Sequence, residues 1–189
     1  MTPSTFHPLS RAVHWLMAVL ILAMLFIGVN MVGNLSPWHP TLVTLHKATG
    51  LALLVLVLLR IVLRVSLPHP PLPRDLPPLQ RWAAGASHLA LYGLMLGMPL
   101  LGWAMLSAGD YPRPLGLPAI APHDLWLYAV LRQAHGWAGY LLFATILVHV
   151  GAALMHALVR RDGVMRAMWP GRAGRAPAPP PVERSRSER

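Results

Sequence analysis

Histidine is the residue type through which this 189-residue chain could do metal or redox chemistry. The sequence has ten histidines and no cysteine, which excludes disulfides, thiolate metal sites, iron–sulfur clusters and a cysteine nucleophile. Five of the histidines lie within or at the edges of long apolar stretches: His14, His46, His135, His149 and His156. One such residue is as readily a neutral histidine bonded to a neighbouring helix as a functional group. Five together indicate function, because ionisable side chains inside a membrane are rare.

The spacing of two of these histidines predicts how they are displayed. His135 and His149 are 14 residues apart, and on an α-helix that separation falls only about 40° short of whole turns. Both side chains therefore lie on one face, about 21 Å apart in depth. A single helix then presents one imidazole near each face of a membrane.

Four apolar stretches must carry these residues. Hydrophobic residues make up 55% of the chain and charged residues 12%, against about a quarter charged in soluble domains, so a water-soluble enzyme is excluded. Stretches at about 12–32, 45–63, 83–106 and 134–159 are long enough to span a bilayer. We predict an all-α, four-helix transmembrane bundle over residues 1–170, followed by a disordered, basic Pro/Arg-rich tail at 171–189. The first stretch is too long for a signal peptide and lacks a typical cleavage site, so we expect it to be retained.

The basic residues predict the orientation of the bundle. Thirteen of the sixteen lie on the side that holds both termini and the loop between the second and third helices; the others are Lys47, Arg113 and Arg132. Positive charge accumulates on the cytoplasmic side, so we expect cytoplasmic termini in a multi-pass protein of the bacterial inner membrane. The net charge of +10 then reflects topology and contact with membrane lipid, and predicts no nucleic-acid partner.

This orientation groups the histidines by depth. His46 and His135 lie near the outer face, and His14 and His149 lie near the cytoplasmic face. Two stacked His–His pairs without cysteine are suited to bis-imidazole ligation of haem iron, because other metal ions usually recruit a third or fourth protein ligand. The inner pairing stays open at this point, since His156 lies only about 20° from His149 on the helical wheel and about 10.5 Å nearer the cytoplasm.

Several short motifs, ordered along the four helices, resemble the bacterial cytochrome b561 family. They are Ser10-Arg11-Ala12-Val13-His14-Trp15, His46-Lys47-Ala48-Thr49-Gly50, His88-Leu89-Ala90-Leu91-Tyr92, the pair His135 and His149, and Arg161-Asp162-Gly163-Val164-Met165-Arg166. The resemblance covers roughly residues 5 to 170.

The resemblance implies a four-helix bundle with two b haems, one cytoplasmic and one periplasmic. It assigns His14 and His149 to the cytoplasmic haem, and His46 and His135 to the periplasmic one. His156 then becomes a polar residue beside the inner haem, where a quinone head group or its protons could be handled. The best-known activity of the family is the oxidation of superoxide outside, with electrons passed to ubiquinone.

Three further basic residues are candidates for site roles. Lys47, beside His46, would attract a small anionic donor toward the outer haem. Lys47 and His156 are our two candidate catalytic residues. Arg11 and Arg60 would bind haem propionates or anchor helices. Two other functions remain: a non-catalytic haem-bearing subunit for a redox protein partner, and a histidine-based metal or proton transporter. The lack of intramembrane Asp and Glu argues against the transporter.

Overall fold

The computed structural model describes residues 4–33, 37–71, 73 and 75–170, and this part of the chain is helical without a strand. Its long helices are α1 (Pro8–Gly33), α2 (His39–Ser66), α3 (Pro78–Ala108) and α4 (Leu125–Leu154). A π-helical turn, Met155–Arg160, extends α4, and a short helix α5 (Val164–Met168) follows. Four spans are long and apolar enough to cross a membrane, so the predicted all-α, four-helix class is confirmed. The tail at 171–189 lies outside the described residues.

The helices extend beyond the apolar stretches from which they were predicted. α2 begins at His39, where we expected about residue 45, and α4 begins at Leu125, where we expected about residue 134. Hydropathy identifies only the part of a helix that matches the bilayer interior, whereas the backbone hydrogen bonds continue into polar residues. Asp124 sets the start of α4, because its Oδ1 accepts the Leu127 N–H at 2.9 Å and so caps the helix.

Helices that follow one another in the chain pack closely, whereas α4 packs only loosely on α1 and α2. Within the described ranges α1 packs on α2, α2 on α3 and α3 on α4, while α4 makes at most sparse backbone contact with α1 and α2. The buried core consists of Val13, Met17, Ile21, Leu53, Val57, Leu91 and Leu142. Leu142 lies midway on α4 between His135 and His149. An apolar layer therefore separates the two ends of the bundle, and many outward apolar side chains, such as Phe26 and Leu147, are exposed.

The connection between α3 and α4 covers the end of the bundle that the basic residues predict to be the outer one. This connection, residues 109–124, folds back on the last turns of α3. Trp103 Nε1 donates to the Pro118 carbonyl at 2.9 Å, and the Ile120 N–H donates to Ser107 Oγ at 3.1 Å. Ser107 is buried beneath it. The loop is thus held to α3 by hydrogen bonds.

Helix α5 closes the opposite end by contacts with the start of α1. Trp15 Nε1 donates to the Met168 carbonyl at 3.0 Å, and Arg11 Nη1 donates to the Trp169 carbonyl at 2.9 Å. The indole rings of Trp15 and Trp169 also meet edge to face. These contacts join the two ends of the described chain at one face of the bundle.

Candidate functional site

The first histidine pair joins α1 to α4 at the end closed by α5, and we name it the inner pair after the predicted orientation. The rings of His14 and His149 have centroids 6.4 Å apart and planes inclined by 76°. Both residues are half-buried. Because α1 and α4 are not closely packed on each other, these rings approach across a gap between the helices.

The second pair joins α2 to α4 at the end covered by the connection between α3 and α4, and we name it the outer pair after the predicted orientation. The rings of His46 and His135 have centroids 6.0 Å apart and planes inclined by 70°. The Nδ1 atom of His46 is buried without a hydrogen-bond partner within 3.5 Å in the described part of the chain, whereas the ring of His135 interacts with the backbone of Met98. A buried polar atom without a partner is costly to the fold, and such an atom calls for a ligand or another polar group.

The separations of both pairs match what one metal ion between two imidazoles requires. Imidazole nitrogens bind divalent first-row ions such as zinc at about 2.0–2.1 Å, and the ring centroid lies about 1.1 Å behind the nitrogen. Two imidazoles on opposite sides of one ion therefore have centroids roughly 6.2–6.4 Å apart. The observed 6.4 Å between His14 and His149 lies in this range, and the 6.0 Å between His46 and His135 lies just below it. Both separations are thus close to that of bis-imidazole ligation of a haem iron.

Two glycines on neighbouring helices lie against the outer pair. A Cβ added at Gly102 of α3 would stand 3.4 Å from Cε1 of His135, and one added at Gly28 of α1 would stand 3.8 Å from Cε1 of His46. Both distances are those of ordinary van der Waals contact, so a methyl group at either position would touch an imidazole and the glycines leave that space open beside the outer pair. Sequence reasoning missed both glycines, because their relation to the histidines crosses between helices and leaves no period in the sequence.

A third imidazole lies beside the inner pair. His88 of α3 meets His149 with ring centroids 5.6 Å apart, and its Nδ1 is 2.7 Å from the Ala84 carbonyl oxygen. That contact requires a proton on Nδ1 of His88, because a carbonyl oxygen can only accept. The His88 motif contributed to the family resemblance, but we assigned its imidazole no role from the sequence.

His156 does not stand in α-helical register with His149. The α-helix ends at Leu154, and His156 lies in the π-helical turn that follows, so the angle of about 20° obtained from a continuous α-helix does not apply. Its Nδ1 is hydrogen-bonded to Oδ2 of Asp162 at 2.5 Å. π-Helical turns within helices are frequent at functional sites.

The carboxylate of Asp162, which lies outside the membrane spans, accepts hydrogen bonds from three groups. Besides His156, Arg160 Nε donates to Oδ2 at 3.3 Å and the Val164 N–H donates to Oδ1 at 3.2 Å. Burial opposes ionisation, but the hydrogen bonds from His156, Val164 and Arg160 outweigh it and hold the pKa of Asp162 below its usual range. The carboxylate is therefore ionised at neutral pH and accepts from each of these groups.

His156 also lines a cavity of about 600 Å³. This cavity, the inner cavity, is partly open to the surface where the π-helical turn meets α5, and it has a mixed basic and apolar lining. Its lining residues are His156, Ala157, Arg161, Gly163, Met165, Arg166 and Trp169. The volume lies within the roughly 300–1,000 Å³ that is typical of small-molecule sites.

The basic candidates make contacts with the backbone at the two ends of the bundle. Lys47 Nζ donates to the Pro112 carbonyl of the outer loop at 3.0 Å. Arg60 Nη1 donates to the Ser10 carbonyl at 3.2 Å, and Arg11 holds α5 as described above. Arg60 lies close enough to His14 and His149 to interact with them electrostatically. The structure thus places Arg60 near the inner pair and gives Arg11 an anchoring contact.

Comparison with known proteins identifies the family of the chain. Residues 5–171 match the family model described as prokaryotic cytochrome b561. The chain is 30% identical over 175 residues to cytochrome b561 homolog 2 of Escherichia coli K12, covering 88% of this chain and 92% of the relative. It is 28% identical over 173 residues to a protein of Yersinia pestis named probable superoxide oxidase CybB, covering 88% and 96%. The chain therefore belongs to the prokaryotic cytochrome b561 family of bacterial membrane haem proteins.

Proposed function

We propose that this protein is a di-haem b cytochrome that carries electrons across the inner membrane, from superoxide on the outer side to ubiquinone on the inner side. The observation that carries the proposal is the presence of two histidine pairs at opposite ends of α4, each with the ring separation expected for ligands of one metal ion. A bound haem would supply a reversible one-electron carrier at each level. In this assignment His46 and His135 hold the outer haem, and His14 and His149 hold the inner one.

Apolar side chains between the two histidine pairs would exclude water from the route of the electrons. Leu142 lies about 10.5 Å along α4 from each of its two histidines, and Val57 beside it in the core is fully buried. Such an apolar layer favours transfer of electrons over leakage of ions or protons. Arg60, near the inner pair, is positioned to neutralise a haem propionate.

The outer end has the features that a small anionic donor requires. Lys47 follows His46 in the chain, and its hydrogen bond to Pro112 keeps the ammonium group at the outer loop. The relative named probable superoxide oxidase supports superoxide as the donor. Each superoxide anion would lose one electron and leave as O₂.

The inner cavity has the features that a quinone acceptor requires. His156 offers a proton donor, Trp169 and Met165 offer apolar surface, and the cavity of about 600 Å³ admits a ring-sized head group. A quinone takes up two electrons and two protons to become the quinol. We assign His156 to the handling of those protons.

Superoxide should reduce the purified protein faster than it dismutates, and Lys47→Ala should slow this step roughly three- to tenfold at low salt. The physical reason is the loss of a cation that draws the anion toward the outer haem, an effect that added salt screens. Stopped-flow spectroscopy of the haem bands measures the rate, and Arg81→Ala, which removes a cation expected on the opposite side, is the matched control. Reduction no faster than the dismutation background would exclude superoxide as the donor.

The alternative function has its own signature in the same preparation. Stable co-purification with a soluble redox protein, together with no quinone reduction by the isolated chain, would identify a non-catalytic electron-transfer subunit. The two histidine pairs would serve either function.

The proposed orientation can be tested with single cysteines, because the native chain has none. We expect a membrane-impermeant maleimide to label an Ala119→Cys variant in intact spheroplasts, and to label a Ser66→Cys variant only after lysis. Ala119 is exposed in the outer loop, and Ser66 is exposed at the last residue of α2. The reverse labelling pattern would place the termini outside.

A further inference from the structure

We propose that Asp162 is a positioning residue for His156: it holds the imidazole with Nδ1–H toward the carboxylate, and so leaves Nε2 as the atom that delivers a proton to a quinone in the inner cavity. This inference rests on the proposed function for its substrate. Asp162 contacts neither histidine pair in the hydrogen bonds described, so its role is separate from haem binding.

The hydrogen bond between the two side chains fixes the direction of the imidazole. Oδ2 of Asp162 lies 2.5 Å from Nδ1 of His156, and an ionised carboxylate can only accept. Nδ1 must therefore carry a proton in either charge state of His156. The ring nitrogen that can gain and lose a proton is then Nε2, the one not engaged by Asp162, on a side chain that lines the inner cavity.

Both carboxylate oxygens of Asp162 accept hydrogen bonds from other groups, so its side chain has a fixed position from which to orient the imidazole. Its Oδ1 accepts the Val164 N–H at the start of α5, and its Oδ2 also accepts from Arg160. Arg160 in turn donates to Asp75 at 2.8 Å and to Gln80 at 3.1 Å. These contacts connect the π-helical turn to the start of α3 and to the preceding loop.

The charges around His156 and Asp162 favour the ionised form of the Asp162 carboxylate. Arg160 contacts it directly, and Arg161 and Arg166 line the same cavity. Asp75, the other acidic residue in the network, is 74% exposed and contacts Arg160 rather than His156. Asp162 is thus the acidic residue that contacts His156.

The proton transfer balances with the reaction of the acceptor. Reduction of a quinone to the quinol requires two electrons, which the proposed donor supplies through the protein, and two protons. A protonated His156 gives its Nε2 proton to a quinone carbonyl oxygen and remains neutral with Nδ1–H on Asp162. Water at the inner surface then returns the proton to Nε2, and the second proton follows the same route.

Asp162→Asn should lower kcat for reduction of decyl-ubiquinone roughly a hundredfold, which is the lower range of general acid catalysis, with little change in KM. Asparagine keeps an oxygen for the Val164 N–H, so the hydrogen bond to the start of α5 is retained, but its amide presents N–H to Nδ1 and disfavours the required tautomer. A wrong tautomer with intact geometry is known to be costly in the histidine–aspartate pair of serine proteases. Asp162→Glu should restore part of the rate. Asp110→Asn, which removes an exposed carboxylate from the connection between α3 and α4 at the opposite end of the bundle, should keep the wild-type rate.

Nitrogen-15 NMR of histidine-labelled holoprotein tests the positioning independently of turnover. We expect the His156 signal, assigned by its loss in a His156→Gln variant, to report a protonated Nδ1 in the wild type and a shift toward the Nε2–H form in Asp162→Asn. A wild-type Nε2–H tautomer, or an Asp162→Asn variant with unchanged kcat, would overturn the proposal. A wild type with the Nδ1–H tautomer that reduces no quinone would uphold the positioning and overturn the assigned acceptor instead.

Discussion

His149→Ala protein should retain one b haem per chain where the wild type binds two. The same loss is expected for His14→Ala, because the two imidazoles lie 6.4 Å apart across the bundle and would share one iron. His46→Ala and His135→Ala should each remove the other haem. Loss of one of the two histidines that would hold a haem would weaken its retention, and we expect that haem to dissociate during purification in detergent.

Haem content per chain, measured by pyridine haemochrome against protein mass, provides the count. His156→Ala is the matched control: it removes a histidine seven residues further along the chain, whose Nδ1 contacts Asp162, and it should retain both haems. Loss of a haem from His156→Ala but not from His149→Ala would show that the inner ligand is wrongly assigned. A wild-type protein without haem would overturn the whole account.

Double variants sharpen the assignment of partners. His14→Ala combined with His149→Ala should lose no more haem than either single change, since both remove the same site. His46→Ala combined with His149→Ala should lose both haems, because the changes fall on different pairs. This pattern follows from the rule that changes at shared sites are non-additive and changes at separate sites add.

The histidine pairs could be anticipated from the sequence because they depend on a continuous α-helix. α4 keeps α-helical geometry from Leu125 to Leu154, so the 14-residue interval between His135 and His149 places both on one face. Depth within the membrane then groups His46 with His135, and His14 with His149. That grouping agrees with the ring contacts observed.

The surroundings of His156 could not be anticipated in the same way. The π-helical turn begins at Met155, directly after the α-helix, and nothing in hydropathy or spacing marks a change of helical period. Arg161, directly after that turn, adopts a left-handed conformation with φ of 52°. Asp162 then contacts His156, and Arg160 donates to Asp162. Interactions that depend on an irregular backbone, or that cross between helices as Gly102 does toward His135, leave no periodic signal.

His156→Gln should separate the two halves of the proposed reaction. We expect superoxide to reduce the haems of this variant at the wild-type rate, while electron transfer to decyl-ubiquinone falls on the order of a hundredfold, because glutamine cannot act as a general acid. Glutamine has similar polarity and can still fill part of the inner cavity, so the change removes proton transfer more than it removes binding. His69→Gln, which alters another histidine of the inner side that does not line this cavity, should leave both steps unchanged.

The result that would contradict this assignment is a simultaneous loss of both half-reactions, or of neither. Loss of both would mean that His156 supports the inner haem itself, in conflict with its contact to Asp162 and with the haem count expected for His156→Ala. Loss of neither would mean that the quinone takes its protons elsewhere, and the inner cavity would then have another occupant. Selective loss of quinone reduction is the outcome required by an imidazole that lines a cavity of about 600 Å³ with its Nδ1 committed to a carboxylate, because Nε2 is then the ring atom left to serve a ligand there.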